Sequence, residues 1–385
     1  MKKSLIALAC GTLGFSVAEF GMMGILSAVA AGLNISITKA GVLVSIYALG
    51  ICIGLAVAKF VVDRISSLKK LFILLIAIMC VGNLLAMLSQ SYSFMILARF
   101  VSGLPHGVFL IAAADAVTKL APKYRQVQST LLIFYALSIA YLFGVPVATY
   151  LAQVISWRMM FIAIAAWGGF VAYSMYQWFP TQEKTNAQLF CIKLTSLKNN
   201  IAGLFLAIII LANGGIFCWY TYINQIMVET AGFKFYAMAG IMMIAGVAMI
   251  VGKTCSDKLA TKIKPLHLLV VMLGVMLLAS LLLIFLAESA YAALVLMFVG
   301  IFGFSGIVLP EQKLGEQINE TKEITNNAIY LTTLSLGNAI GATIGALPMV
   351  IGYAVEFSVV PAILMLASAL GLLYYFYLKT KDANK

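Results

Sequence analysis

Twelve apolar stretches, each about as long as a lipid bilayer is thick, constrain this chain more than any other feature. A spanning helix needs roughly 20 apolar residues, and the sequence provides them at 4–28, 40–62, 71–89, 93–118, 129–151, 158–179, 201–223, 236–252, 266–287, 290–310, 325–350 and 355–378. Because 63% of the residues are hydrophobic and only 10% are charged, a soluble fold could not bury so much apolar surface. The sequence therefore predicts an all-α membrane protein with twelve transmembrane helices, the first retained rather than cleaved as a signal peptide.

Lysine and arginine indicate how these helices are oriented. Of the 25 such residues, all but Lys39, Arg99, Arg158 and Lys234 fall in segments on the same side of the membrane as the N-terminus. Because basic residues concentrate on the cytoplasmic side of membrane proteins, we expect both termini in the cytoplasm. The short basic loops also explain the net charge of +12, so no nucleic-acid partner is needed to account for it.

The longest polar segment, 180–200, follows the sixth stretch and divides the chain in two. We therefore expect an N-terminal six-helix bundle (1–179), a cytoplasmic linker (180–200) and a C-terminal six-helix bundle (201–385) around a cavity near the bilayer midplane. The loops DRISSLKK (63–70) and DKLATKIK (257–264) share an order of charges. This similarity between the two halves indicates an internal duplication.

Two segments of the first half resemble motifs of one transporter family. The loop at 63–70 is similar to the G-x-x-x-D-R-x-G-R-K element of the major facilitator superfamily, although Lys59 replaces its first glycine. The segment GVPVATYLAQVISWRMMF (144–161) resembles the G-x-P-x-G-T-x-L…W-R-x-x-F run of the drug:proton antiporter-1 group of that superfamily, with Ala148 in place of a glycine.

Further segments narrow the resemblance. Arg99 and Gly103 match the R-x-x-x-G pattern of proton-coupled members in the fourth helix. AEFGMMGIL (18–26) and LGNAIGATIG (336–345) make the chain most similar to the arabinose-efflux-permease-like branch. The resemblance implies secondary active transport of a drug, sugar or other small metabolite, and it makes the charged loop at 63–70 a latch of the cytoplasmic gate.

Ionisable residues within the first half are the candidates for proton coupling. Counting 1.5 Å per residue along the first and fourth helices places Glu19 and Arg99 at similar depths in the outer half of the membrane. A carboxylate beside a guanidinium keeps its charge, whereas a desolvated carboxylate without that partner binds a proton. Glu19 is thus the predicted proton carrier, Arg99 tunes it, and His106 relays the proton. A fixed ion pair, an Arg99 bound to helix-end carbonyls, an Arg99 that reaches the membrane surface and a neutral, hydrogen-bonded His106 remain alternatives.

Polar and aromatic residues within the predicted spans are the candidates for substrate binding. The set comprises Tyr47, Tyr135, Asn213, Phe217, Trp219 and Asn338. The aromatic residues near 220 would otherwise form an outer interfacial belt, and for Tyr222 we expect that position. We expect no intramembrane charge in the second half comparable to Glu19 or Arg99.

Charged residues at helix ends and two helix-bending residues are the candidates for gating. They are Asp63, Arg64, Asp115, Gly144, Pro146, Asp257 and Lys258. The Asp63/Arg64 and Asp257/Lys258 pairs would hold one gate closed by binding helix ends. Asp115 is four residues before Lys119 and is expected to pair with it, while Gly144 and Pro146 would bend the fifth helix.

The sequence therefore predicts proton-driven efflux of a small organic molecule by a monomer in a bacterial inner membrane. Proton-coupled uptake by symport is the alternative, and a receptor or polytopic enzyme is a more distant one, because no inward cluster of acid, base and nucleophile is evident. No nucleotide-binding motif, disulfide framework or metal site is indicated. We expect protons, a small-molecule substrate and lipid as the only partners, with no cofactor.

Overall fold

The computed structural model describes residues 2–120, 136–181, 190, 200–318 and 327–383. Within these ranges, twelve helices are long and apolar enough to cross a membrane, which confirms the predicted fold class and number of spans. The chain divides into two compact units, Met1–Ile192 and Lys193–Lys385. Most of the predicted linker, 180–200, lies outside the described residues.

The described part of the first unit contains six long helices. They are α1 (Lys2–Gly24, continued as Leu26–Gly32), α2 (Ile37–Arg64), α3 (Leu68–Leu88), α4 (Tyr92–Leu120), α5 (Ala136–Val154) and α6 (Arg158–Trp178). Ser36 and Ser67 cap α2 and α3 by accepting hydrogen bonds from the backbone of the first turn. Within α5, Ala140–Gly144 forms a π-helical turn, so the predicted irregularity near Gly144 and Pro146 is present.

The second unit repeats this arrangement with more interruptions. Its helices are α7 (Asn200–Tyr220), α8 (Met238–Leu259), α9 (Pro265–Leu286), α10 (Ala290–Ile318), α11 (Asn327–Ile344) and α12 (Val359–Ala383). After α7 the chain continues as Ile223–Gln225 and a π-helical turn, Ile226–Thr230. Helices α4 and α10 both have 29 residues and an interior proline, which supports the duplication indicated by the sequence.

Glycines allow the central helices of each unit to approach closely. A Cβ atom at Gly54 of α2 would collide with the carbonyl of Leu104 in α4, and one at Gly252 of α8 would collide with the carbonyl of Phe302 in α10. Small residues are favoured where membrane helices come this near. The equivalent contact in both units fixes α4 against α2 and α10 against α8.

Three glycines of α11 at four-residue spacing form a face that packs directly against α7. A Cβ at Gly337 would lie 2.7 Å from the carbonyl oxygen of Ile210. At Gly341 and Gly345 it would meet the backbone of Gly214 and Cys218. Since backbone cannot move aside as a flexible side chain can, this face does not accommodate larger residues.

We expect Gly341→Ala to lower the free energy of unfolding by about 1–3 kcal/mol, the usual cost of overpacking a tight interior. Gly371→Ala is the matched control, because Gly371 is an exposed residue of α12 and a Cβ there meets no atom within 4 Å. The control should be neutral or stabilising by up to about 1 kcal/mol. Thermal unfolding of both variants in detergent tests this contrast, and equal melting temperatures would contradict the close packing of α7 and α11.

Arg158 connects the C-terminal end of α3 to the start of α6. Its Nε donates to the carbonyl of Met87 at 3.1 Å and its Nη2 donates to the carbonyl of Ser89 at 2.9 Å. The guanidinium carbon also lies 4.2 Å from the centre of the Trp157 ring. A cation at the C-terminal end of a helix is favourably placed, since the last carbonyls of the helix have no partners within it.

Candidate functional site

Arg99 of α4 lies at the centre of the first unit with 0% of its surface exposed. Its Nη1 donates to the carbonyl of Ala18 in α1 at 3.0 Å, and its Nε donates to the carbonyl of Leu43 in α2 at 3.5 Å. The guanidinium carbon is 4.3 Å from the centre of the Tyr47 ring. One buried cation therefore joins three helices through backbone carbonyls and an aromatic face. Ala18 lies within α1 and Leu43 within α2, so these are not the helix-end carbonyls that the sequence left open as an alternative.

Glu19, Tyr47 and His106 meet at one ring nitrogen. The Glu19 carboxylate lies 3.6 Å from Nδ1 of His106, and the Tyr47 hydroxyl oxygen lies 3.2 Å from the same atom. The Tyr47 hydroxyl also reaches the carbonyl of Phe15 at 3.4 Å, and the Phe15 ring stacks on His106 at 5.2 Å between centroids. Tyr47, which we considered for substrate binding, thus belongs to the group of ionisable residues.

This group, which we call the Glu19 cluster (Glu19, Tyr47, Arg99 and His106), is nearly enclosed by protein. The side chains of His106 and Glu19 are 3% and 12% exposed. The carbonyl of Ala18, which accepts a hydrogen bond from Arg99, belongs to the residue directly before Glu19. The similar depths expected for Glu19 and Arg99 therefore agree with the contact between α1 and α4 at this level. The cluster combines a carboxylate, an imidazole and a fixed cation, which is sufficient chemistry to hold and transfer a proton.

The π-helical turn of α5 packs against the same part of α1. A Cβ at Gly144 would lie 2.5 Å from Cγ2 of Val17, and the ring of Tyr141 meets that of Phe20 edge-on at 5.0 Å between centroids. Turns of this kind are frequent at functional sites and at helix bends. The irregular part of α5 thus lies beside the segment of α1 that carries Glu19.

The second unit also contains a buried acid, which contradicts the expectation that it has none. Glu311 of α10 is 0% exposed. Its carboxylate accepts a hydrogen bond from the Tyr330 hydroxyl at 2.9 Å and one from Nδ2 of Asn213 at 3.4 Å. The prediction was wrong because the tenth apolar stretch was ended at residue 310, whereas α10 continues to Ile318.

The aromatic residues around the end of α7 are interior residues. Trp219 and Tyr222 are 0% exposed and Phe217 is 1% exposed. The Tyr222 hydroxyl donates to the carbonyl of Ala342 in α11 at 2.9 Å. The expected position of Tyr222 in an outer belt is therefore wrong, because the chain continues beyond α7 and encloses it. Phe217 faces Phe304 of α10, with the ring centroids 5.8 Å apart.

Several buried polar atoms of the second unit have no hydrogen-bond partner within the described part of the chain. They include Oδ1 of Asn213, Nε1 of Trp219, both polar atoms of the Gln225 side chain and Oδ1 of Asn338. Buried polar groups are nearly always satisfied, so atoms left open in this way are suited to bind a ligand. Sequence reasoning missed Gln225, although an amide just beyond an apolar span was a visible signal.

The remaining predicted residues lie near helix ends or outside the described ranges. Asp115 forms the expected pair with Lys119, at 2.9 Å. Asp257 pairs at 2.7 Å with Lys253 of the same helix. The other charged gating candidates occupy the last turns of α2 and α8, and these are Asp63, Arg64 and Lys258. Tyr135 lies outside the residues that the structure describes.

Comparisons with known proteins agree with this architecture. A model of the family described as "Major Facilitator Superfamily" matches residues 8–313. The "Putative transporter AraJ" of Escherichia coli (strain K12) is 32% identical over 386 residues, covering 100% of this chain and 98% of that protein. A "Probable sugar efflux transporter" of Haemophilus influenzae (strain PittGG) is 25% identical, covering 89% of this chain and 86% of that protein.

A solved structure has the same fold at low sequence identity. The crystal structure of a point mutant of the nucleoside transporter NupG aligns with a TM-score of 0.78 and 12% identity. The alignment covers 98% of this chain and 99% of that one. Helix number and arrangement are thus shared with a protein whose sequence has diverged almost completely.

Proposed function

Since the chain belongs to the Major Facilitator Superfamily, we propose that it exports a small organic molecule in exchange for protons by alternating access. The family consists of transporters rather than enzymes, and the chain is a multi-pass protein of the bacterial inner membrane. The distribution of lysine and arginine supports cytoplasmic termini.

The Glu19 cluster is the observation that carries this proposal. A charge inside the hydrocarbon region costs about 2.5–3.5 kcal/mol on insertion scales, and ionisable residues kept there usually have a function. Here Glu19 lies beside an imidazole and near a guanidinium on another helix. A proton on Glu19 cancels its charge and weakens its attraction to α4, so its protonation is coupled to the contact between α1 and α4.

Arg99 is suited to remain in place while Glu19 changes its charge. Its hydrogen bonds go to the backbone of Ala18 and Leu43, so they do not depend on the state of the carboxylate. A nearby cation favours the ionised form of a carboxylate, which promotes release of the proton on the cytoplasmic side. His106 lies in contact with Glu19 and provides a path for that proton.

A sugar or another hydroxyl-rich molecule is the cargo class that the second unit supports best. Hydroxyl groups both donate and accept hydrogen bonds, and the open polar atoms of Asn213, Trp219, Gln225 and Asn338 include both donors and acceptors. A relative with 25% identity is named as a sugar efflux transporter. Buried aromatic rings such as Phe217 and Trp219 can pack against the apolar face of a sugar.

The direction of the driving gradient distinguishes antiport from symport. In proteoliposomes with a panel of radiolabelled monosaccharides, we expect an acid interior to drive accumulation of at least one sugar, because protons leave as the sugar enters. A symporter would accumulate its substrate when the exterior is acid. Accumulation driven only by an acid exterior would show that protons and cargo travel together, and an uncoupler that collapses the gradient is the control.

The charged helix ends are proposed to control access from the cytoplasm. Asp63 and Arg64 are exposed at the end of α2, and Asp257 is partly exposed near the end of α8. Exposed ion pairs contribute about 0–1 kcal/mol each. Contacts of that strength can form and break during each transport cycle, as a gate that opens and closes requires.

A further inference from the structure

Glu311 is a fully buried acid that the proposed role of the Glu19 cluster does not use. It lies in α10 of the second unit, one residue after Pro310, and is 0% exposed. It contacts Asn213 of α7 and Tyr330 of α11. Three helices therefore meet at this carboxylate, and both of its partners are neutral.

The surroundings of Glu311 contain no balancing cation within the described residues. Helices α7, α8, α9 and α11 and the π-helical turn after α7 carry the ionisable groups Cys218, Tyr220, Glu229, Lys253, Cys255, Asp257, Lys258, His267 and Tyr330, and α10 itself adds Tyr291, Lys313 and Glu316. Of these described groups, only Tyr330 contacts the carboxylate. Lys253 pairs with Asp257, and Lys313 donates to the carbonyl of Ala260.

An isolated charge in such a place is costly. Transfer of an ionised carboxylate into an apolar interior is so unfavourable that the group usually becomes neutral instead. Two neutral hydrogen-bond donors reduce this cost but do not cancel the charge. The neutral acid is therefore the form that the closed environment tolerates best, and an ionised form requires access to water or to a cation.

The partners of Glu311 can bind both of its forms. A tyrosine hydroxyl donates to a carboxylate and accepts from a carboxylic acid, so Tyr330 can turn its hydrogen without moving its oxygen. Asn213 offers Nδ2 to the carboxylate, while its Oδ1 has no hydrogen-bond partner within the described chain. The local hydrogen bonds can thus rearrange rather than break when a proton is gained or lost.

We propose that Glu311, together with Asn213 and Tyr330, is a second site of reversible proton binding, located in the C-terminal unit and separate from the Glu19 cluster. Asn213 also belongs to the open polar atoms assigned to the cargo. A change in the charge of Glu311 therefore changes the hydrogen bonds that Asn213 can offer. Its part in transport rests on the proposed function, whereas the proton binding itself does not.

Infrared difference spectroscopy of the purified protein in lipid tests the proton binding directly. Between acid and alkaline buffer, we expect the wild type to show a carbonyl stretching band of a buried carboxylic acid that disappears as the acid ionises. Glu311→Gln should lose the part of this band that Glu311 contributes, while any part contributed by Glu19 should remain. Glu316→Gln, which changes an exposed acid on the same helix, should keep it. A difference spectrum that is identical in wild type and Glu311→Gln would overturn the proposal.

A second variant keeps the test decisive if Glu311→Gln does not fold. Tyr330→Phe removes the hydroxyl that binds the carboxylate at 2.9 Å, so the carbonyl band should shift in frequency. An unshifted band would show that the titrating acid is not Glu311. The measurement needs no cargo and no gradient, so its result is independent of whether the antiport experiment succeeds.

Discussion

Glu19→Gln is expected to reduce proton-driven accumulation strongly while leaving exchange of cargo across the membrane intact. Glutamine has nearly the shape of a protonated glutamate but cannot release a proton, so the variant is held in one of the two charge states. We expect accumulation driven by a pH gradient to fall by roughly 5- to 150-fold, the usual range for coupling between two sites. Exchange of labelled for unlabelled cargo without a gradient should continue, because it requires no net proton transfer.

Two comparisons make the Glu19→Gln experiment specific. Glu288→Gln changes an acid that is exposed between α9 and α10 and should leave both driven accumulation and exchange unchanged. Loss of exchange together with accumulation in Glu19→Gln would indicate a structural acid. Retention of full proton-driven accumulation would remove Glu19 from the coupling mechanism.

Arg99→Lys is expected to uncouple transport even though it preserves the positive charge. An ammonium group cannot reproduce the planar fork that binds Ala18 and Leu43 and stacks on Tyr47. Losing one charge-assisted hydrogen bond lowers the free energy of unfolding by about 2 kcal/mol, which corresponds to a melting temperature lower by roughly 4–8 °C. The ratio of driven accumulation to exchange should fall at least about tenfold, equivalent to 1.4 kcal/mol.

Arg158→Lys is the matched control for Arg99→Lys. Arg158 also binds two backbone carbonyls and stacks on an aromatic ring, but it lies at the end of α3 and outside the Glu19 cluster. We expect a similar loss of stability with an unchanged ratio of driven accumulation to exchange. If both variants altered that ratio equally, the role of Arg99 would be structural.

The helices were predictable because the bilayer imposes a simple rule. Each span must be apolar over about 20 residues and must satisfy its backbone internally, so hydropathy alone located all twelve. The proximity of Glu19 and Arg99 followed from counting residues along two helices. The contact of Glu19 with His106 did not follow, because it depends on how α1 and α4 are rotated about their axes.

Glu311 shows where reading by hydropathy fails. Pro310, Glu311 and Lys313 end the apolar stretch, and a window that scores apolar residues assigns them to a loop. In the structure the helix continues through them to Ile318 and buries the acid among its neighbours. The internal duplication could have revealed that α10 continues past Pro310, since α4, the corresponding helix of the first unit, has the same length.

A related reason explains why the expected position of Tyr222 is wrong and why Gln225 was missed as a candidate site residue. The seventh stretch was ended at residue 223, but the helical chain continues through Ile223–Gln225 and Ile226–Thr230. Residues that were expected at the membrane surface are therefore enclosed. The position of an irregular turn depends on tertiary packing rather than on local composition, so the sequence could not specify it.

Proton movement recorded during sugar flow is the most direct test of exchange. Proteoliposomes carrying a pH-sensitive dye are loaded with a sugar that the accumulation experiment has identified, and are then diluted into sugar-free, weakly buffered medium. As the sugar leaves, we predict acidification of the interior that is absent from Glu19→Gln liposomes. Sugar efflux with no change in internal pH, or with alkalinisation, would contradict the account.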